Sequence, residues 1–160
     1  FCKRNLKYKE ISVTSANEIV KVVGNRFKAK NLAVPKKVTY EGRTFLVTEI
    51  GKKAFYKANT ITTVVISKNV TTIGQKAFAG MKKLKSVTVG AGVKKITKEA
   101  FQKDSKLKKV VIKGKKLSKV GKKAFAQIHP KAKIKVVKSK KKALKKVLKA
   151  SGLKKTIQIY

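Results

Sequence analysis

One six-residue phrase recurs four times in this chain, and its spacing constrains the fold more than any bulk property does. It stands first as Ile50, Gly51, Lys52, Lys53, Ala54 and Phe55, and returns at residues 73–78, 96–101 and 120–125, ending on Phe78, Phe101 and Phe125. The four phenylalanines are 23, 23 and 24 residues apart. A regular period of this size marks a solenoid in which each coil contributes one strand and one short turn. A stack of coils presents surfaces, so the repeat shifts the expectation from catalysis toward binding.

A second pattern runs in register with the first. Val64 and Ile66 correspond to Val87 and Val89, then to Val110 and Ile112, then to Ile134 and Val136. Period-two alternation of β-branched residues predicts half-buried strands, with the alternate residues facing outward. Ile61, Leu84 and Leu107 precede these strands at one offset, where the fourth copy has Lys131. Val70, Val93 and Leu117 follow them, and one extra residue within Lys113–Lys116 accounts for the single longer spacing. Glycine at 51, 74 and 121 is expected to permit a sharp turn. Alanine before each phenylalanine leaves room for close contact between coils, and the ring fills the space between them. The expected fold is an α/β repeat, a right-handed solenoid with a parallel sheet on one face and short helical turns on the other.

The ends read as caps of a single domain over 1–160. Residues 1–49 are β-rich, with strand patterns at Leu6–Val13 and Glu18–Val23, and Leu32, Val34 and Val38 form a first, degenerate repeat. Residues 50–137 hold about four repeats, and 138–160 a helix and a closing strand. Ser139 is the expected N-cap, Ala143, Leu144, Val147 and Leu148 one helical face, and Gly152 the stop. Lys140–Lys149 is basic and amphipathic, a pattern shared with membrane-surface helices, but its narrow apolar stripe favours a cap over the open end of the stack.

The phrase Ile-Gly-x-x-Ala-Phe, an aliphatic residue six positions later and a Val-x-Val/Ile strand together resemble the BspA-type leucine-rich repeat of bacterial surface proteins. The resemblance covers roughly residues 32–137. It implies strands lining one face and a non-catalytic module of a secreted, wall-attached or surface-anchored protein, some members being adhesins. The family often carries proline after the strand and cysteine three residues past the phenylalanine. Here only Pro35 fits the first, and Ala58, Met81, Asp104 and Ile128 occupy the second. The heavy lysine content lies outside the family motif, so the resemblance implies no partner.

Composition narrows the chemistry. Six scattered acids, one histidine (His129) and one cysteine (Cys2) provide neither paired carboxylates nor a conventional metal set, so no enzyme, cofactor or metal site is expected. Cys2 reads as an incidental free thiol. Without an initiator Met, a signal segment or a membrane-length apolar run, the chain is expected to be a fragment that does not itself insert in a membrane, with its anchor elsewhere. Against those six acids stand 44 Lys and Arg, a formal net charge of +38, and only Arg4, Arg26 and Arg43 are arginine. Lysine attracts anionic polymers diffusely and lacks arginine's planar, bidentate fork.

Two candidate surfaces follow. The outward strand residues Thr63, Val65, Ser86, Thr88, Lys109, Val111, Lys133 and Lys135 form a possible ligand face. Lys52, Lys53, Lys76, Lys98, Lys122 and Lys123 on the turn side are candidate contacts to an anionic polymer. Expected partners are a host extracellular-matrix protein or glycan, or an anionic wall polymer. The alternatives are a structural spacer or stalk held to the wall by charge, and unspecific nucleic-acid binding.

Overall fold

The computed structural model describes residues 1–3, 6–13, 18–25 and 29–160. Residues 4–5, 14–17 and 26–28 of the expected N-terminal cap lie outside them. The chain order is β1 (Cys2–Lys3), β2 (Leu6–Val13), β3 (Glu18–Asn25), β4 (Asn31–Val34), β5 (Lys37–Tyr40), β6 (Arg43–Ile50) and β7 (Thr63–Ile66). It continues with β8 (Thr72–Ile73), β9 (Ser86–Val89), β10 (Lys95–Ile96), β11 (Lys109–Ile112), β12 (Lys119–Val120) and β13 (Lys133–Lys135). A 3-10 turn at Lys138–Lys140, helix α1 (Lys141–Ala150) and β14 (Gln158–Ile159) close the chain.

Coils stack in chain order. Strands β4, β7, β9, β11, β13 and β14 form one six-stranded parallel sheet. About six turns of solenoid result, so the first degenerate copy and the closing strand are full members of the stack. Each strand alternates: Leu32, Val64, Val87, Val110 and Ile134 point inward and are buried. The extra residue lies where the spacing places it. Lys109 pairs with Ser86, 23 residues back, whereas Lys119 pairs with Lys95, 24 back.

A second parallel ladder, β6, β8, β10 and β12, runs along the opposite flank, and the β1–β2–β3 meander and β5 extend it at the N-terminal end. Sequence reading gave these residues to the turn phrase. Ile50, Ile73 and Ile96 are its buried members, and Val120 is partly buried. An aromatic cluster of Phe1, Tyr8, Tyr40 and Phe45 packs at that end, with the Phe1 and Tyr40 rings 4.4 Å apart.

The segment expected as short helical turns is a run of tight turns instead. Alternate N–H groups bond within their own coil and to the next one. Ala54, Tyr56 and Ala58 donate to Gly51, Lys53 and Phe55, while Lys53, Phe55 and Lys57 donate to Gln75, Ala77 and Ala79 of the following coil. This division leaves no run of consecutive intracoil bonds from which a helix could grow. It aligns the rings too: Phe55, Phe78, Phe101 and Phe125 stack with successive centroids 5.1 Å apart and planes 5° from parallel.

The repeated glycines serve a different purpose from the one expected. None of Gly51, Gly74 and Gly121 has positive φ. A Cβ on Gly74 would lie 2.5 Å from the Gly51 carbonyl carbon, and one on Gly121 would lie 2.4 Å from the Lys98 nitrogen. Coils touch backbone to backbone there. In the third copy Thr97 replaces the glycine, and its Oγ1 donates to the Ile73 carbonyl at 2.9 Å. Left-handed backbone falls instead on Lys53, Lys76, Glu99 and Lys123, and four residues further on at Lys57, Gly80, Lys103 and Gln127. A side chain in that region costs about 1–2 kcal/mol, part of which glycine recovers against its greater unfolded entropy. Gln127→Gly is therefore expected to stabilise the fold by up to about 1 kcal/mol in urea unfolding. A loss of stability would show that the Gln127 side chain makes contacts outweighing its strain.

At the C-terminal end α1 packs on β12 and covers the second ladder. Ser139 does not cap it: Lys140 stands at the N-cap with no side-chain hydrogen bond, and Ser139 lies one residue earlier, inside the 3-10 turn. Leu144 and Leu148 are buried and Val147 partly so, but Ala143 is exposed, so the apolar stripe is narrower than its sequence pattern. Gly152, with φ +85°, ends the helix as expected.

Candidate functional site

All eight predicted strand-face residues share one face of the six-stranded sheet, in two rows. Thr63, Ser86, Lys109 and Lys133 form one row in register, and Val65, Thr88, Val111 and Lys135 the other. The structure lengthens both rows. Asn31 and Ala33 precede Thr63 and Val65, and Gln158 follows Lys133. Their alternation was visible in the sequence, but their place in the stack depends on pairing between distant segments. Neighbouring strands sit about 4.8 Å apart, so six of them make a face roughly 24 Å long. No acidic residue stands in either row, and Val65 is 45% exposed. The face passes from small and neutral at β4 to cationic at β13.

The turn-side lysines divide. Lys52, Lys53, Lys122 and Lys123 are exposed. Lys76, half-buried, and Lys98, exposed as well, reach Glu99 at 3.3 and 3.8 Å. Glu99 occupies the column of Lys53, Lys76 and Lys123, so one carboxylate interrupts the lysine tract at its centre. The second ladder carries a further cationic row that sequence reasoning missed, Lys95 beside Lys119, with Lys21 held by Glu49 at 3.0 Å nearby. Two-residue strands carry too little alternation to be read in advance.

Among the described residues one carboxyl group is buried. Asp104 stands in the column three residues past the phenylalanine, fully enclosed. Its Oδ1 accepts the Met81 N–H at 2.8 Å, and its Oδ2 has no partner. Burial pushes the carboxyl up to about 8, while the N–H groups of Met81 and Gly80 pull it down. His129 is a loop residue, its Nδ1 accepting the Lys131 N–H at 3.1 Å. Among the described residues no group of three or more His, Cys, Asp or Glu could hold a metal ion, and no helix is long and apolar enough to cross a membrane.

Comparison with known proteins agrees with the coil geometry. The chain is similar to a leucine-rich repeat protein of Bacteroides capillosus, with TM-score 0.72 and 22% identity over 86% of this chain and 97% of that one. A leucine-rich repeat protein of Bacteroides ovatus matches with TM-score 0.70 and 23% identity, covering 87% of this chain and 38% of that one. A leucine-rich cell surface protein of Faecalibacterium prausnitzii matches with TM-score 0.62 and 20% identity, covering 85% and 44%. The chain thus spans less than half the length of two of these three structures. A search of the curated proteins found no significant match. Residues 47–159 match the BspA type leucine-rich repeat region in six copies, two more than the phrase alone shows. With stacked rings, paired ladders and that match covering most of its length, the chain belongs to the BspA-type leucine-rich repeat family.

Proposed function

We propose that this chain is a non-catalytic binding module of a bacterial surface protein. It adheres to an extracellular protein or glycan through the outer face of the six-stranded sheet, while its lysines draw it to anionic polymers. The observation that carries this reading is the pair of outward rows, a continuous face roughly 24 Å long with no acidic side chain and graded from neutral to basic. Fixed strands hold those side chains at constant spacing, which lowers the ordering penalty of binding an extended partner. The Faecalibacterium relative, described as a cell surface protein, supports an extracellular setting.

The test is binding to immobilised matrix proteins, sulfated and sialylated glycans, teichoic acid and duplex DNA at low and high salt, beside an unrelated protein of equal charge. Exposed charges are screened beyond roughly 8 Å at physiological ionic strength. One ligand should persist at high salt and be lost on Thr88→Arg or Val111→Glu. If every signal falls with salt as the control does, the module is a spacer and the lysines are unspecific.

A further inference from the structure

The turn side carries a notch that the repeat itself does not predict. Residues in one column of successive coils lie side by side, about 4.8 Å apart. In the column after the phenylalanine these are Tyr56, Ala79, Gln102 and Ala126; in the next they are Lys57, Gly80, Lys103 and Gln127. Large, small, large across three coils leaves a gap over Ala79 and Gly80, walled by Tyr56 and Lys57 on one side and Gln102 and Lys103 on the other. The resulting cavity measures about 380 Å³.

Its walls are specific. A Cβ on Gly80 would meet Lys57 Cγ at 3.3 Å and Tyr56 Cε2 at 3.9 Å, so both side chains lean across the glycine. Tyr56 is 41% exposed, one of few large apolar groups left open on this surface. The Lys53 and Lys57 ammonium groups stand 5.7 and 5.3 Å from its ring centroid. Asn59 is pinned at the rim, its Oδ1 accepting the Lys82 N–H at 2.9 Å, which leaves its amide N–H groups as donors. Lys76 also lines the cavity, held by Glu99.

The geometry points to a binding site for an acidic saccharide unit, a pyranose bearing a carboxylate or sulfate. The Tyr56 ring, beside its two ammonium neighbours, offers apolar area to the C–H side of such a unit, the Asn59 and Gln102 amides meet its hydroxyls, and the lining lysines meet its charge. A small inorganic anion would need neither the ring nor the amides. Single-stranded nucleic acid stacks successive bases on successive aromatic side chains, and only one lines this notch. The site lies away from the strand rows, so it stands or falls independently of the sheet-face reading.

The experiment is titration calorimetry at physiological salt with a sulfated hexasaccharide, a uronic-acid hexasaccharide, a neutral hexasaccharide and single-stranded DNA. Tyr56→Ala and Gln102→Ala leave the charge unchanged, so unspecific attraction survives both. At least one acidic hexasaccharide should bind, and Tyr56→Ala should weaken it about tenfold, the value of one good ring contact. Tyr160→Ala, at an exposed tyrosine elsewhere, and Thr88→Arg should leave it unchanged. Equal binding by the parent and Tyr56→Ala would overturn the proposal. So would equal binding of the neutral hexasaccharide, or DNA binding with the same dependence on Tyr56.

Discussion

Phe101→Ala is expected to remove about 3–5 kcal/mol of stability, the range for deleting a buried aromatic ring. Phe101 is fully buried and stacks on Phe78 and Phe125 at 5.1 Å on either side. Truncation opens a gap between two coils whose neighbours are tied backbone to backbone, at Phe78 to Ala100 and at Phe101 to Ala124, and so cannot close it by sliding. A domain of this size holds roughly 5–15 kcal/mol in all, so the variant is close to its threshold. Phe55→Ala, with one stacked ring neighbour, is expected to lose less. Denaturant unfolding of both variants checks the difference. A loss below about 1 kcal/mol at Phe101 would mean the ring column records the packing without supporting it.

The second large effect belongs to Asp104. Unfolded, its carboxyl ionises near pH 4; folded, burial holds it at about 8. Between those values the folded chain carries one proton more than the unfolded chain. Its contribution is therefore greatest below pH 4, falls as pH rises through that window, and is flat above the folded value. Asp104→Asn keeps the Oδ1 acceptor for the Met81 N–H and carries no charge. It should match the parent within about 1 kcal/mol at pH 3 and exceed it by on the order of a few kcal/mol at pH 9. Urea midpoints across that range measure it, and parallel profiles for the two proteins would exclude Asp104 as the source.

These two positions differ in how readily they are read from residues. The phenylalanine spacing announces the stack, and the alternation of Val64 and Ile66 with their counterparts announces one sheet and its outward rows. The second ladder escapes because Thr72–Ile73 and Lys95–Ile96 are too short to alternate. The glycines mislead because close approach and left-handed backbone both select glycine, and only coordinates separate them; here the left-handed sites of the turn phrase hold lysine, glutamate or glutamine at every copy but Gly80. Glu99 looks like one stray acid until coil stacking sets it beside Lys76. The notch is the subtlest case. Tyr56, Gly80 and Gln102 are visible departures from the repeat, but their adjacency exists only once columns become neighbours in space.

The grading of the outward rows extends beyond the sheet. Residues 105–160 contain 21 lysines and no acid, whereas residues 1–49 hold eleven Lys and Arg against four Glu. Because coils stack in chain order, that imbalance becomes an electrical polarity along the solenoid axis. A body with one strongly cationic pole does not meet an anionic surface in random orientations: the field turns the β13 and α1 end inward during approach. The β4 end, with Asn31 and Ala33, is left pointing outward. Toward any anionic surface this arrangement of charge would set a direction of approach, which no single lysine possesses.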